Sequence, residues 1–574
     1  MMNRARVCKS VWKGNTTWIV ICLCGLNLLV MHLYFLCANV IENEVNFTTV
    51  VDGILGIVID VTVLFLLFYL VTWKRLKPAL TITFFITLLW SFTNVLYSRF
   101  FHHYITLSAI GQGGTLLDAE MIRCTLDGLR WTDMYFVVCT ILFFLLIKKA
   151  RPVNRPVIKM IASLVIMVGV DLLSYLLFCS LTPEYRYISF FVQRIEHRQL
   201  SVQLHLGSPN DATYRRGFIR TLAYELLLDF SGTIQLSEEQ KDLIAAEIEK
   251  AGHGVTHEGL CVTDKNVIFI LVESYMSFTS DMSVNGREVT PFLNSLKRDS
   301  TVYYNGQMHE NVTIGESSDG QFIYMTGLLP LRSVITVSKA RHAALPGLPK
   351  MLNHESRMVI PTVTSMWNQD EMCRQYGFDH LYASNDYAGG KYNNLNDEQI
   401  FQLAMQKDEE CHQPFFSVIL TMSMHQPYTR QIDPTFQISD TNITEELACY
   451  LSACHYTDRQ IGQYLEHLKT TGLYEKSLIV IAADHSVHNT DLGGVSKEIP
   501  FYIVNIPQEL KNRMWQNECN QLDVYTTLLD LFDVESSWFG MGQSLLSPNY
   551  NSSVDTKKWE LSEWIIRGNY FSNQ

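Results

Sequence analysis

The chain has 574 residues, which is too many for one ordinary hydrophobic core, so at least two domains are expected. Only 18% of its residues are charged and its mean hydropathy is slightly positive, at +0.07, which indicates a membrane part. The formal net charge of −12 argues against a nucleic-acid partner, because binding to nucleic acid requires a basic surface.

Five apolar stretches before residue 182 predict transmembrane helices. Most of them reach the ~20 residues that a helix needs to cross a bilayer. The fourth is short and needs its flanking residues, and the first is too long for a cleavable signal peptide and has no small-residue cleavage site after it. The predicted spans are 18–41, 53–73, 79–98, 132–147 and 157–181.

The basic residues of the loops orient these predicted helices. Lys and Arg are concentrated before the first span, between the second and third, and between the fourth and fifth, whereas the loop after the first span has none. Basic loops favour the cytoplasmic side, so the N-terminus is predicted inside and everything after residue 182 outside. The sequence therefore predicts a multi-pass protein of the cytoplasmic membrane with an extracytoplasmic C-terminal domain.

A helical linker over 182–262 is predicted between the transmembrane domain, 1–181, and the C-terminal domain, 263–574. Its clearest element is a helix over 237–250, with Ser237 as the N-cap and Gly252 after its end. The helix has a narrow apolar stripe. We expect it to pack on the C-terminal domain or to lie near the membrane surface.

From residue 263 onward, strand-like and helix-like segments alternate, as is typical of an α/β fold with a mainly parallel central sheet. The predicted strands are 267–272, 301–304, 358–363, 415–422, 478–483 and 500–504. The predicted helices are 290–299, 318–328, 345–354, 396–407, 444–471 and 520–533.

Two of these predicted strands end in side chains that bind metals. The strand 267–272 is followed by Glu273, and the strand 478–483 is followed by Asp484 and His485. Both strands are short, apolar and partly β-branched, as buried strands of a parallel sheet are. Such sheets bind ligands outside the carboxyl ends of their strands. The sequence therefore predicts that these three side chains share a metal site.

The segment 311–330 supplies a candidate nucleophile. Ser317 and Ser318 stand just before a helix-like run, where the helix dipole and free backbone N–H groups favour an anion such as phosphate. A divalent cation beside such a hydroxyl would lower its pKa and make it a nucleophile, although both serines are also ordinary N-cap residues. His425 follows the strand 415–422, and we expect it to contact substrate or a leaving group at the same edge.

Several motifs resemble those of lipoteichoic acid synthase and related phosphoglycerol transferases, in the alkaline phosphatase and sulfatase superfamily. They include Phe-Ile-Leu-Val-Glu-Ser at 269–274, the run 284–294 and Gly-Glu-Ser-Ser-Asp at 315–319. The similarity continues through 366–370, 377–379, 422–428, 456–458, 472–474, 484–485 and 522–531. The resemblance covers nearly the whole chain and implies a five-helix transmembrane bundle followed by a sulfatase-like catalytic α/β domain.

The resemblance also assigns roles to individual residues. It implies a metal site made of Glu273, Ser317, Asp484 and His485. It selects Ser317 as the nucleophile, because Ser318 and Asp319 match the Ser-Asp pair that follows the family's nucleophile, which is usually a threonine. It implies substrate-binding roles for His425 and Trp367.

The sequence departs from the family pattern in the substrate pocket. Gln369 stands where the family usually has an arginine after Trp-Asn, and Ile-Pro-Thr at 360–362 replaces a segment that resembles His-Gly-Asp. The replaced groups would hold a phosphoglycerol head group. The metal positions therefore match the family while the pocket differs from it.

The resemblance implies a metal-dependent phosphotransferase. Ser317 would take a head group of phosphoglycerol type from a membrane phospholipid and pass it, through a phospho-serine intermediate, to an extracytoplasmic glycan or glycolipid. One divalent ion is expected, Mn²⁺ or Mg²⁺ with Zn²⁺ as the alternative, because oxygen ligands and one imidazole suit these ions. The alternative functions are phosphoethanolamine transfer and a catalytically silent, lipid-binding membrane protein. A sulfatase is disfavoured, because 317–321 lacks the Cys/Ser-x-Pro-x-Arg motif.

Overall fold

The chain folds as two units, Met1–Phe230 and Ser231–Gln574, in the computed structural model. The residues that the structure describes are 2–38, 47–101, 103–107, 110, 126, 128–150, 162, 165, 210, 213–214, 217–230, 234–251, 262–332, 334–389, 394–487, 492 and 495–573.

The N-terminal unit is helical. Its longer helices in the described ranges are α1 (Met2–Cys37), α2 (Phe47–Val71), α3 (Leu76–Phe101), α4 (Met134–Ile147) and α5 (Phe218–Phe230). Three segments are long and apolar enough to cross a membrane, namely Thr16–Cys37, Val50–Val71 and Leu76–Arg99. They confirm the first three predicted spans to within a few residues. The fourth apolar helix, Trp131–Ile147, is shorter, and the predicted span 157–181 lies outside the described residues, so the five-helix count stays a prediction.

One buried carboxylate of this unit fixes the start of a helix. Asp60 is 1% exposed on α2, and its Oδ2 accepts the backbone N–H of Phe218 at 2.8 Å. Phe218 is the first residue of α5, where backbone N–H groups have no partner within the helix. Asp60 therefore holds α5 against α2.

The C-terminal unit is built on a mainly parallel sheet, as predicted. Its strands are β1 (Asn266–Val272), β2 (Ser283–Val284), β3 (Arg287–Glu288), β4 (Val302–His309), β5 (Glu355–Val359), β6 (His380–Tyr382), β7 (Phe415–Leu420), β8 (Ser477–Ala483), β9 (Ile499–Val504) and β10 (Cys519–Asn520). The large sheet has the order β10-β4-β9-β8-β1-β7-β5-β6, and β2 and β3 form a separate ribbon. β9 is antiparallel to β4 and β8, and the other neighbours are parallel.

The two ligand-bearing strands are neighbours at the centre of this sheet. All seven residues of β1 and of β8 are buried, as expected of strands covered on both faces. Val272 pairs with Ala483 at their carboxyl ends. The residues that follow them, Glu273 and Asp484, therefore leave the sheet side by side.

Helices of this unit cover the sheet and the carboxyl edge. They are α6 (Glu238–Ala251), α7 (Pro291–Arg298), α8 (Ser317–Thr326), α9 (Val337–Ala340), α10 (Leu348–Leu352), α11 (Gln369–Tyr376), α12 (Asp397–Glu409), α13 (Glu445–Thr470), α14 (Gln508–Arg513), α15 (Asp523–Leu531) and α16 (Thr556–Arg567). The prediction of α6 is confirmed, since Ser237 Oγ accepts the N–H of Gln240 at 3.2 Å and the Gln240 side chain accepts the N–H of Ser237.

Candidate metal centre

Three side chains converge beyond the ends of β1 and β8. One ligand atom each from Glu273, Asp484 and His485 lies within 4.8 Å of the others. His485 Nε2 is 3.5 Å from Glu273 Oε1 and 3.6 Å from Asp484 Oδ2. All three residues are nearly inaccessible, with exposed fractions of 6%, 3% and 2%. The structure thus brings together the three residues that the strand ends predicted.

Hydrogen bonds aim the three side chains at one another. Asp484 Oδ1 accepts the backbone N–H groups of Ser274 and His485, at 2.8 and 2.7 Å. Glu273 Oε1 accepts the Ser274 hydroxyl at 2.9 Å. His485 Nδ1 donates to the carbonyl of Ser486 at 2.7 Å, because a carbonyl can only accept, and this fixes Nε2 as the nitrogen that faces the carboxylates.

The first residue of α8 completes the cluster. Ser317 Oγ lies 3.0 Å from Glu273 Oε2 and 3.1 Å from His485 Nε2. Ser318 is directed elsewhere, since it is 2% exposed and its hydroxyl donates to the Gly315 carbonyl at 2.7 Å. The geometry therefore separates two serines that local sequence left equivalent, with Ser317 beside the candidate ligands.

The backbone that presents Ser317 is strained. Glu316, the residue before it, has φ 46° and ψ −116°, a conformation that side-chain-bearing residues rarely adopt. Asp319, which is fully buried, holds this turn from within α8. Its Oδ2 accepts the backbone N–H groups of Thr313 and Gly315, both at 3.0 Å, and its Oδ1 accepts the Thr336 hydroxyl at 2.7 Å.

α8 and β8 approach so closely that only glycine fits between them. A Cβ on Gly320 would lie 2.3 Å from the carbonyl oxygen of Asp484. Tyr324 on α8 reinforces this contact, since its Oη donates to the Ala483 carbonyl at 2.7 Å. Gln521 Nε2 donates to the Asp484 carbonyl, also at 2.7 Å, from the segment before α15. The helix that begins at Ser317 and the strand that precedes Asp484 are thus fixed to each other.

The three ligand side chains perturb one another's pKa values. Burial raises the pKa of Asp484 well above its ordinary value, and the charge of Glu273 raises it further. Burial alone would lower the pKa of His485, but the charges of Asp484 and Glu273 raise it well above the ordinary range. Burial opposes ionisation of Glu273, yet its hydrogen bond to His485 and the charge of His425 hold its pKa low. The cluster therefore favours a buried positive charge.

The donor set fits a divalent cation. It offers carboxylate oxygens, one imidazole nitrogen with its tautomer fixed, and a serine hydroxyl, all at the ends of strands or at the start of a helix. Oxygen-rich sites with one imidazole suit Mn²⁺, Mg²⁺ and Zn²⁺. The buried carboxylates also require a counter-charge, which a cation would supply.

Comparisons with known proteins agree with this architecture. Residues 265–534 match the Sulfatase family, and residues 2–189 match the Lipoteichoic acid synthase N-terminal domain. Lipoteichoic acid synthase 2 of Bacillus subtilis is 28% identical over 521 residues, which are 85% of this chain and 77% of that protein. Lipoteichoic acid synthase of Staphylococcus aureus is 25% identical over 524 residues, 84% of this chain and 77% of that one.

The chain therefore combines a lipoteichoic acid synthase N-terminal domain with a domain of the Sulfatase family, the arrangement of an alkaline phosphatase/sulfatase superfamily protein similar to lipoteichoic acid synthase. It is an enzyme, a phosphotransferase of that superfamily, and a membrane protein. Among solved structures, the integral membrane phosphoethanolamine transferase A from Neisseria meningitidis has the same fold, with a TM-score of 0.57 and 13% identity. The match covers 91% of this chain and 98% of that one.

The two residues that the family resemblance placed in the substrate pocket lie on loops after strands. His425 follows β7 and is exposed, and its charge helps to lower the pKa of Glu273 in the candidate metal centre. Trp367 follows β5 and is partly exposed. Gln369, at the family's arginine position, is 5% exposed and hydrogen-bonded inside the protein. Their roles in binding substrate stay predictions.

Sequence reasoning missed the residues that orient the ligands. Thr421 Oγ1 accepts the backbone N–H of Glu273 at 3.0 Å, and Glu310 Oε1 accepts the hydroxyl of Ser486, whose carbonyl holds His485. Thr421 carried a signal, because it follows β7 at the same edge of the sheet. Glu310 and Gln521 carried none, since they come from segments without a ligand motif.

Proposed function

We propose that the chain is a metal-dependent phosphotransferase that moves a phospholipid head group of phosphoglycerol type to an extracytoplasmic glycan or glycolipid. One observation carries the proposal, namely the position of Ser317 Oγ, 3.0 Å from Glu273 Oε2 and 3.1 Å from His485 Nε2 at the start of α8. A hydroxyl placed there has the Glu273 carboxylate as an acceptor for its proton and lies where helix N–H groups favour a phosphoryl group.

Ser317 acts as the nucleophile in the first step. Its Oγ forms a bond to the phosphorus of the lipid, and the bond from phosphorus to the diacylglycerol oxygen breaks. The serine proton is transferred, in net, to diacylglycerol, which leaves as an alcohol. In the second step an acceptor hydroxyl attacks the phosphorus, the serine ester bond breaks, and Ser317 regains a proton.

Glu273, Asp484, His485 and the Ser317 oxygen would hold the divalent ion. When bound, such an ion lowers the pKa of a neighbouring hydroxyl and stabilises negative charge on phosphoryl oxygens. The chain's own contribution is position: the fixed His485 tautomer, the buried carboxylates and the strained turn at Glu316 place Ser317 before substrate arrives. His425 would bind the head group or assist proton transfer.

The basic loops support an extracytoplasmic position for the C-terminal unit, where lipid head groups of the outer leaflet are available. The apolar N-terminal helices would keep the enzyme at the membrane that holds its donor. Protease accessibility of 263–574 in intact and in permeabilised cells tests this orientation. Cleavage only after permeabilisation would contradict it.

Mass spectrometry of the covalent adduct tests the transferred group. The full-length enzyme is exposed to phosphatidylglycerol and to phosphatidylethanolamine in separate detergent-micelle samples, quenched in acid and digested. A phosphoglycerol adduct on Ser317 is expected with the first lipid. Ser318→Ala is the matched control, because its hydroxyl donates to Gly315 and should not be required.

Each other outcome of this experiment has a definite meaning. A phosphoethanolamine adduct would assign the enzyme to phosphoethanolamine transfer by the same chemistry. An adduct on Ser318 would overturn the choice of nucleophile. No adduct with either lipid, in a sample that retains its divalent ion, would favour a catalytically silent lipid-binding protein.

A further inference from the structure

The loop after β5 contains two consecutive residues in the left-handed backbone region. Trp367 has φ 51° and ψ 25°, and Asn368 has φ 53° and ψ 36°. Asparagine tolerates this region, but a bulky side chain such as tryptophan is rarely found there. The surrounding structure must therefore hold Trp367 in place, as happens where a strained residue serves a functional site.

Arg341 fastens one side of this loop. Its Nη1 donates to Asn368 Oδ1 and to Glu371 Oε2, each at 3.1 Å. The backbone adds a further bond, from the N–H of Asp370 to the carbonyl of Thr364 at 3.0 Å. These bonds fix the backbone on the C-terminal side of Trp367.

A buried pair of amides fastens the same loop to the nucleophile helix. Gln369 Nε2 donates to Gln321 Oε1 at 2.8 Å, and Gln321 Nε2 donates back to Gln369 Oε1 at 3.2 Å. Gln369 is 5% exposed and Gln321 is 1% exposed. Gln321 lies on α8 one turn after Ser317, so the pair connects the start of α11 to the helix whose first residue is the candidate nucleophile.

The pair is specific in direction as well as buried. An amide of each residue donates and accepts at once, and the second Gln321 hydrogen is directed to Met358 Sδ on β5 at 2.8 Å. Two leucines could fill this volume without fixing the loop, whereas the two mutual hydrogen bonds break if the loop shifts relative to α8. The amides therefore determine where the Trp367 segment lies relative to α8.

We propose that Gln369 is a positioning residue which, through Gln321, fixes the Trp367 loop to the nucleophile helix and so determines how the donor head group is held. The proposal rests on the proposed function, because it needs a lipid donor at Ser317. It differs from direct head-group binding by residue 369, since this side chain is turned into the protein. Trp367 contacts the head group, and Gln369 acts through it.

The test measures donor KM and kcat separately, with the full-length enzyme and phosphatidylglycerol in detergent micelles, from the release of diacylglycerol. The variants are Gln369→Leu, Gln321→Leu and the two together. Asn305→Leu is the matched control, because Asn305 is a 2%-exposed amide on β4 that donates to the Asn517 carbonyl at 2.8 Å. The melting temperature of every variant is measured alongside.

We expect each single variant to raise KM about tenfold with little change in kcat. A tenfold change in KM corresponds to the free energy of roughly one hydrogen bond. Asn305→Leu should lower the melting temperature without changing KM. In the double variant the melting temperature should recover, because no amide is left unpaired, while KM stays raised. Adding Gln369→Leu to Trp367→Ala should raise KM no further, since the two changes remove one interaction.

Two results would overturn the inference alone: an unchanged KM in Gln369→Leu, or a double variant in which KM and the melting temperature recover together. The second result would mean that the pair only stabilises the fold. A wild-type enzyme that releases no diacylglycerol from phosphatidylglycerol or from phosphatidylethanolamine would instead refute the proposed function, and this inference with it.

Discussion

The two sides of the proposed active site are built in different ways. The metal side consists of Glu273, Asp484 and His485, which leave adjacent central strands and are almost inaccessible. The side assigned to the head group consists of loops after β5 and β7, with a partly exposed Trp367 and an exposed His425. The first is fixed by the sheet itself, and the second by a few side-chain hydrogen bonds.

This difference explains where the chain agrees with its family and where it departs from it. A residue at the end of a central strand cannot move without moving the sheet, so a metal centre placed there keeps its geometry. A loop after a strand can change residues at positions such as 360–362 and 369 without disturbing the sheet. On the proposed function, the core would therefore hold the reacting groups and the loops would determine the choice of substrate.

The strongest way to test the metal side is to remove its nucleophile. Ser317→Ala should lower turnover by roughly 10³-fold or more, because no later step proceeds without the covalent intermediate. Loss of diacylglycerol release is the measurement, and an unchanged melting temperature is the control for folding. Retention of more than a few per cent of activity would show that Ser317 is not the nucleophile, and Ser318 and Thr313 would be tested next.

Removal of a ligand should empty the centre. The purified full-length enzyme should contain about one tightly bound divalent ion per chain, as expected for one cluster of three protein ligands and a hydroxyl. Glu273→Ala should lower metal affinity by at least about 100-fold, because it takes away one of the two carboxylate ligands of the site. Elemental analysis after desalting measures this, and full occupancy in the variant would contradict the ligand assignment.

The variant Asp319→Asn should distinguish the positioning of Ser317 from metal binding on the metal side of the proposed site. Asparagine offers one acceptor oxygen, so the bonds that hold the strained turn at Glu316 are partly lost and Ser317 shifts. We expect adduct formation to slow by about 100-fold, as a displacement of about 1 Å can do, with metal content unchanged. The matched control is Asp433→Asn. Asp433 is also fully buried and accepts three hydrogen bonds, but they come from Thr435 and His455 and do not involve the turn before Ser317.

Metal affinity should rise with pH. The pKa values of Asp484 and His485 are both raised, so these groups keep protons at a pH where free groups have lost them. A cation binds only the deprotonated ligands, so each displaced proton makes affinity increase by about tenfold per pH unit below the group's pKa. Titration of Mn²⁺ into the stripped enzyme across pH 5 to about 8 measures the slope. Affinity that is independent of pH would contradict the assigned ligands.

The smallest effect is expected on the loop side. His425→Ala should raise donor KM by up to about tenfold while metal content stays at the wild-type level, because His425 is exposed and meets the centre only through its charge. A loss of bound metal in this variant would instead indicate that His425 contributes to the metal site.

The sequence was sufficient for the sheet and its ligands because both depend on local pattern. Apolar runs that end in Glu273 or in Asp484 and His485 predicted β1, β8 and the centre between them. Short edge elements such as β6 and β10 were missed, since two or three residues give no periodicity. The strand predicted at 301–304 continues to His309, through polar residues that the pattern took for a loop.

The sequence could not predict the parts of the site that are made by long-range hydrogen bonds, because these contacts appear only in the folded structure. Nothing local distinguishes Ser317 from Ser318, and the distinction came from the family motif and from the contact of Ser318 with Gly315. Gln321 and Gln369 are 48 residues apart, and no spacing rule pairs two glutamines. Glu310 and Gln521 likewise support the centre from segments that are remote in sequence.

The close packing at Gly320 has a consequence for how the enzyme should lose activity on heating. Because α8 packs directly on the backbone of Asp484, the proposed nucleophile cannot move away from the candidate ligands without breaking this contact. Heating should therefore leave the reaction intact until the sheet itself melts, and the loss of turnover and the loss of secondary structure should coincide on one curve.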